Sequence, residues 1–101
     1  MIITKNQTNE KLTLTIEGRL DTTTAPQLES EILLVSEEVL LLELDMKQLE
    51  YLSSAGLRVI LAAQKKMHSP RKMLITGVNE TIMEVFEITG FADILTIETG
   101  E

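Results

Sequence analysis

The residues best suited to chemistry in this chain lie between positions 51 and 60, where an extended segment stops at two serines and a glycine and a helical run follows. The first turn of a helix has unpaired N–H groups and the positive end of the helix dipole, so it favours negative charge. On spacing alone, Ser54 is either an N-cap or a phosphoacceptor. A phosphate there would face the N–H groups of Gly56 and Leu57, and Arg58 at i+4 could pair with it.

A second polar loop also precedes a helix, and it could lie beside Ser54 if the two preceding strands are neighbours. This loop contains Asp21, Thr22 and Thr23. In one interpretation these residues orient the Ser54 hydroxyl or a metal ion bound to the kinase; in the other they serve only as turn and capping residues. Gly56 either leaves room for another backbone beside the hydroxyl or relaxes the strand-to-helix turn. Both loops are therefore candidates for one functional surface.

Other kinds of reactive site find little support in the sequence. The chain has no cysteine, and its single histidine, His68, falls in a turn where a surface or capping role is expected. No metal-ligand cluster or pair of convergent acids stands out, and no histidine accompanies Ser54 as a base. We therefore expect a protein that is not an enzyme.

Charge and hydropathy restrict the classes of binding partner and the cellular compartment that we expect. Sixteen acidic and nine basic residues give a net charge of −7, which disfavours direct contact with nucleic acid or anionic lipid. The N-terminus lacks the basic and apolar regions of a signal peptide, and no apolar run approaches the ~20 residues needed to cross a bilayer. We expect a cytoplasmic protein without membrane insertion.

Periodicity predicts the strands that position the two loops. Apolar and polar residues alternate over 11–17, which predicts a half-buried strand, and residues 2–6 are expected to pair with it as a hairpin. The nearly continuous apolar run at 39–44 predicts a central strand covered on both faces. Further strands are predicted at 73–76 and 94–97.

Three helices are expected between these strands. The first begins near Pro26 after capping hydroxyls at 22–24, the second covers 54–67, and the third is capped by Asn79 and ended by Gly90. A strand, a helix and a second buried strand form a βαβ unit with parallel pairing. The sequence therefore predicts a single α/β domain of 101 residues, with a mixed four- to five-stranded sheet flanked by helices.

Several segments, in order along almost the whole chain, resemble the anti-sigma factor antagonists, which are stand-alone STAS domains. The segment at 51–61 is the most specific, because the family has an aromatic and an aliphatic residue there, followed by D-S-[ST]-G-L. The resemblance implies one STAS domain over residues 1–101. The other matching segments are Gly18-Arg19-Leu20-Asp21, Leu44-Asp45, and Phe86-Glu87-Ile88-Thr89-Gly90-Phe91 ahead of Ile94-Leu95.

The resemblance implies a phosphorylation switch. It places on Ser54 the serine that is phosphorylated by a cognate anti-sigma factor, itself a GHKL-type serine kinase. The unphosphorylated antagonist binds that kinase and frees the sigma factor; phosphorylation abolishes binding, and a phosphatase restores it. The kinase supplies ATP and Mg²⁺, so this chain needs no cofactor. The residues expected to bind the partner are Asp21, Thr22, Thr23, Ser53, Ala55, Gly56, Leu57 and Arg58.

Three positions depart from the family pattern. Ser53 replaces the aspartate, Ala55 replaces the second hydroxyl residue, and Arg58 stands where a glycine is common. Ser53 is thereby the only competing acceptor, and Arg58 either binds phosphate or adapts the surface to another partner. Two alternative functions stay open. One is a constitutive STAS subunit of a transport complex, for instance bound to the ATPase of a lipid-transport ABC system, without a phosphorylation cycle. The other is a small-ligand or nucleotide-binding STAS module.

Overall fold

The computed structural model describes residues 1–99, which form six β-strands, three α-helices and a short 3₁₀ turn. The α/β class is confirmed. The sheet has six strands rather than four or five, because the fourth strand was not predicted as a separate element. In chain order the elements are β1 (Ile2–Thr8), β2 (Lys11–Leu20), α1 (Ala25–Leu33), β3 (Leu41–Asp45), β4 (Leu49–Leu52), α2 (Ser54–Lys66), β5 (Lys72–Val78), α3 (Glu80–Thr89), the 3₁₀ turn (Phe91–Asp93) and β6 (Ile97–Thr99).

The sheet is mixed, because β1 is antiparallel to β2 and every other pairing is parallel. The long strand β2 pairs with β3 along its first half and with β4 along its last residues. Beyond β2 the order is β3, β5, β6, so each crossover adds its strand on the same side. Right-handed crossovers in one direction place their helices on one face of the sheet.

The core lies between that face and the three helices. Strand residues such as Leu14, Leu44 and Ile75 are fully buried there with Ile60 of α2 and Phe86 of α3. Along β3, the residues that alternate with the buried leucines are only partly buried, with 18% of the Glu43 side chain exposed. The prediction that this strand is covered on both faces is wrong, because the helices lie on a single face.

Some of the helix ends lie where the sequence predicted them, and one predicted cap is absent. Asn79 caps α3 by accepting the N–H of Ile82 at 2.8 Å, and Gly90 ends it with a φ of 82°, as predicted. Pro26 lies in the first turn of α1, also as predicted, but no threonine side chain caps that helix. The Asp21 carboxylate instead accepts the N–H groups of Thr23 and Thr24, which immediately precede the helix.

The last predicted strand lies later than expected, because the 3₁₀ turn and the residues that follow it occupy the start of the predicted range.

Two basic side chains bridge distant parts of the fold. Lys66, in the last turn of α2, donates to the carbonyls of Ile32 and Leu33 at 2.8 and 3.2 Å, at the end of α1. Arg71 donates through Nη2 to the carbonyl of Ser36 at 2.8 Å, and through Nε to that of Val39 at 2.9 Å. These contacts fix the connection between α1 and β3 and hold α1 beside α2.

Candidate functional site

The two candidate loops lie side by side at the carboxyl ends of β2 and β4, because these strands are neighbours, the condition on which the sequence made this placement depend. Leu20 and Leu52 are paired in register at the ends of these strands. The N–H of Ser53 donates to the carbonyl of Leu20 at 2.9 Å, which extends the ladder by one residue. Because this hydrogen bond holds Ser53 in an extended conformation, helix α2 can begin only at Ser54.

The N-cap of α2 is Ser53 rather than Ser54. Its Oγ accepts the N–H of Gly56 at 3.3 Å, and its carbonyl accepts the N–H of Leu57 at 3.0 Å. Ser54 is the first helical residue, and it is exposed. Its hydroxyl makes no hydrogen bond to any residue in the described part of the chain. The interpretation of Ser54 as a capping serine is therefore wrong.

The same geometry changes which N–H groups are available near Ser54. The N–H groups of Gly56 and Leu57, expected to face a phosphate, are already used by Ser53. A helix leaves four N–H groups without an intrahelical partner at its start. The N–H of Ser53 donates to Leu20 and that of Gly56 donates to Ser53. The N–H groups of Ser54 and Ala55 are therefore the two left to interact with an anion.

Gly56 is a packing residue. A Cβ at this position would lie 2.7 Å from Cγ of Leu20 and 2.8 Å from Cδ1 of Leu52. The glycine thus lets the first turn of α2 approach the strand ends, and neither interpretation made from the sequence describes it. Gly56 and Leu57 are both buried, so neither belongs to the exposed surface on which a partner could dock.

Asp21 organises its own loop. Its Oδ1 accepts the Thr23 hydroxyl at 2.8 Å and the N–H groups of Thr23 and Thr24 at 3.0 and 3.1 Å. The Thr23 hydroxyl is the main cause of a lowered Asp21 pKa; desolvation opposes it, and the two N–H groups add to it. Within residues 1–99, no hydrogen bond joins Asp21 to Ser54, so the carboxylate shapes the neighbouring loop without orienting that hydroxyl.

A shallow groove of about 270 Å³ runs between α1 and α2 beside Ser54. Arg58 lines it, and its side chain is exposed and forms no ion pair with a described residue. Thr22 and Ala55 also line it, so the groove joins the two loops. The remaining lining residues are Ala25, Pro26, Glu29, Val59 and Ala62.

On the other side of the strand ends, Arg19 stacks on an aromatic ring. Its guanidinium carbon lies 4.2 Å from the ring centroid of Tyr51, a cation–π contact between paired residues of β2 and β4. Its Nε is 3.8 Å from Oδ2 of Asp21. The sequence analysis missed this pair. Had β4 been predicted as a neighbour of β2, an arginine and an aromatic residue at the ends of the two strands would have suggested the contact.

A model of the STAS domain family matches residues 2–101. This chain belongs to the STAS domain family. The STAS domain is 29% identical over 100 residues to an anti-sigma-B factor antagonist of Listeria monocytogenes, covering 96% of this chain and 87% of the relative.

Solved structures share the fold of this STAS domain. An anti-sigma factor antagonist from Mycobacterium paratuberculosis aligns with a TM-score of 0.87 at 20% identity, over 96% of this chain and 84% of that one. The phosphorylated form of the Bacillus cell fate determinant SpoIIAA aligns with a TM-score of 0.75 at 17% identity, over 97% of this chain and 92% of that one. The predicted STAS architecture is confirmed.

Two further kinds of site were sought in the described part of this STAS domain, a metal centre and a membrane-spanning helix. Among residues 1–99, no group of three His, Cys, Asp or Glu side chains is placed to hold a metal ion. No helix within the same residues is long and apolar enough to span a bilayer.

Proposed function

We propose that this STAS domain is a cytoplasmic anti-sigma factor antagonist controlled by phosphorylation of Ser54. In its unmodified form it binds a cognate anti-sigma factor that is also a serine kinase, and phosphorylation of Ser54 ends that binding. A serine phosphatase then restores it. The name of the Listeria relative supports the antagonist role, and the phosphorylated form of SpoIIAA supports phosphorylation as the type of control.

The observation that carries this proposal is that two adjacent serines differ in their contacts, one capping α2 and the other exposed. Ser53 accepts the N–H of Gly56 as the cap of α2, whereas the Ser54 hydroxyl is exposed and makes no hydrogen bond to a described residue. A kinase can reach this hydroxyl without breaking the cap. The same contrast favours Ser54 over Ser53 as the acceptor.

A phosphate on Ser54 would act on binding more than on folding. It adds about −1.5 to −2 charges and three acceptor oxygens. Within the domain, that charge would lie near the N–H groups of Ser54 and Ala55 at the positive end of α2, where anions are stabilised. Against a docked protein, the same dianion would lose water without compensation, which is costly.

The surface that we assign to the partner surrounds Ser54 on both sides. It contains the groove between α1 and α2 with Arg58 and Ala55, and the Asp21 loop with Thr22 and Thr23. Exposed aromatic and arginine side chains are common anchors in protein interfaces, so we add the Arg19–Tyr51 pair to this surface. ATP and Mg²⁺ would come from the kinase, and we assign this chain no cofactor.

The decisive experiment combines the purified domain with the serine kinase encoded near it in the genome and with ATP, and locates any phosphate by peptide mass. We expect phosphate on Ser54 in the wild-type protein and in Ser53→Ala, and none in Ser54→Ala. Labelling of Ser54→Ala at the wild-type level, on Ser69 or Thr76 for example, would show that the assigned acceptor is wrong.

Binding to the unmodified partner provides the second readout. We expect Ser54→Asp to weaken the complex while the melting temperature stays nearly unchanged. Full binding by both the phosphorylated protein and this variant would favour a constitutive STAS subunit instead. Saturable nucleotide binding by the isolated domain, lost in Arg58→Ala, would favour a ligand-binding STAS module.

A further inference from the structure

A second cavity lies at the opposite end of the domain from Ser54. It has a volume of about 460 Å³ and opens where β3 and β5 begin and α2 ends. Helix α2 has 13 residues, so the cavity is about 20 Å from Ser54 along the helix. We name it the amino-end cavity, and its lining residues are Leu41, Gln64, Met67, His68, Ser69, Arg71, Lys72, Met73, Leu74 and Thr96.

Charge distinguishes this cavity from the rest of the protein. The chain has a net charge of −7, yet His68, Arg71 and Lys72 line the amino-end cavity, and none of its described lining residues is acidic. Lys72 is exposed and has no ion pair with a described residue. By contrast, the cavity beside α3 is lined by the carboxylates of Glu80, Glu84 and Glu87. The amino-end cavity is therefore suited to an anion.

The cavity also offers apolar surface and an unused acceptor. Met67 and Met73 are buried in its wall, and Leu41 and Leu74 are partly buried there. The buried Oε1 of Gln64, another lining residue, accepts no hydrogen bond from a described residue. Burial of an unsatisfied acceptor destabilises a protein. A ligand hydroxyl or N–H that reached this oxygen would remove part of that destabilisation.

Arg71 gives the basic side of the cavity a fixed geometry. Its guanidinium is anchored by the carbonyls of Ser36 and Val39, so it does not have to be ordered when a ligand arrives. The exposed side chains of Lys72 and His68 lie beside it. Ligand sites are typically concave, about 300–1,000 Å³ in volume, with apolar walls and a few polar groups.

We infer that the amino-end cavity binds a small organic anion, a carboxylate or phosphate monoester that carries an apolar group. Lys72, His68 and Arg71 would receive the charge, and the leucines and methionines would receive the apolar part. This inference does not rest on the proposed function, because the cavity shares no residue with the Ser54 site.

The test is a titration of ¹⁵N-labelled protein followed by amide chemical shifts, with phenyl phosphate as the probe. Inorganic phosphate supplies the charge alone, and benzyl alcohol supplies the ring alone. We expect phenyl phosphate to shift the amides of Gln64, His68, Ser69 and Lys72 saturably, with a dissociation constant of about 1 mM or below. Each partial probe should bind at least about fivefold more weakly.

Charge variants supply the matched control. Lys72→Glu should weaken phenyl phosphate binding at least about fivefold, and Lys72→Gln should give an intermediate loss. Lys47→Glu makes the same change in net charge at an exposed position outside the cavity and should leave binding within about twofold.

Three results would overturn the inference. The first is the absence of saturable shifts at these amides. The second is an equal loss in Lys72→Glu and Lys47→Glu, which would indicate only the overall field of the protein. The third is equally tight binding of inorganic phosphate, which would show that the apolar wall takes no part.

Discussion

Replacing Ser53 and Ser54 by alanine, one at a time, separates the serine that stabilises α2 from the serine that we propose as the acceptor. Loss of an N-cap serine costs about 0.5–2 kcal/mol. The hydrogen bond from Gly56 to Ser53 is 3.3 Å long, beyond the ~2.9–3.0 Å optimum, so we expect about 0.5–1 kcal/mol for Ser53→Ala. Ser54→Ala removes no described hydrogen bond, and alanine suits the first turn, so we expect a change within about 0.5 kcal/mol.

Urea unfolding at equilibrium is the assay, with thermal melting as a check. The two variants should unfold with the same dependence on urea as the wild type, because neither changes the buried surface. The midpoint should fall for Ser53→Ala and stay in place for Ser54→Ala. For a domain of this size, 1 kcal/mol corresponds to about 4–8 °C in melting temperature. An equal or larger loss in Ser54→Ala would refute the reasoning, because it would identify Ser54 as the cap in solution.

The remaining predictions concern the supports of the site. Gly56→Ala places a Cβ 2.7 Å from the Leu20 side chain, and we expect urea unfolding to report a loss of about 1–3 kcal/mol; an unchanged midpoint would contradict tight packing there. Lys66→Met removes the donor to the last carbonyls of α1, and the same assay should show a loss of about 1 kcal/mol, against no loss in the exposed Lys65→Met. The Asp21 pKa lies below its usual 3.8, so its contribution to stability is present above that pH and disappears as the pH falls through the folded-state pKa. Carboxyl NMR titration should show the lowered pKa, and Asp21→Asn should remove that part of the acid dependence of unfolding; a pKa of 3.8 or above would contradict the loop geometry.

The sequence predicted those features that depend on neighbouring residues. Asn79 and Gly90 were identified as the ends of α3 because an Asx cap and a left-handed glycine are determined within one turn of the helix. The sequence also allowed the two loops to meet at one edge of the sheet, since parallel strands bring their carboxyl ends together, and the pairing of β2 with β4 met the remaining condition that these strands be neighbours. The choice of Ser54 over Ser53 came from the family resemblance and not from the local pattern.

The features that the sequence did not predict depend on contacts between distant residues. Ser53 becomes the cap because its N–H continues the pairing of β4 with the carbonyl of Leu20, and no local rule distinguishes it from Ser54. Gly56 is required by side chains on two strands. The contacts of Lys66 and Arg71 join residues more than thirty positions apart, where periodicity carries no information.

The one-residue offset between cap and acceptor determines what a phosphate can do. If Ser54 were the cap, modification would change the group that holds the first turn, and regulation would be coupled to stability. With Ser53 as the cap, the dianion is added at the first helical position, where anions near a helix start stabilise by about 0.3–1 kcal/mol. The phosphorylated domain should then be at least as stable as the unmodified one. A partner would distinguish the two forms by charge at an otherwise unchanged surface, so the proposed control of binding could be reversed without unfolding the domain.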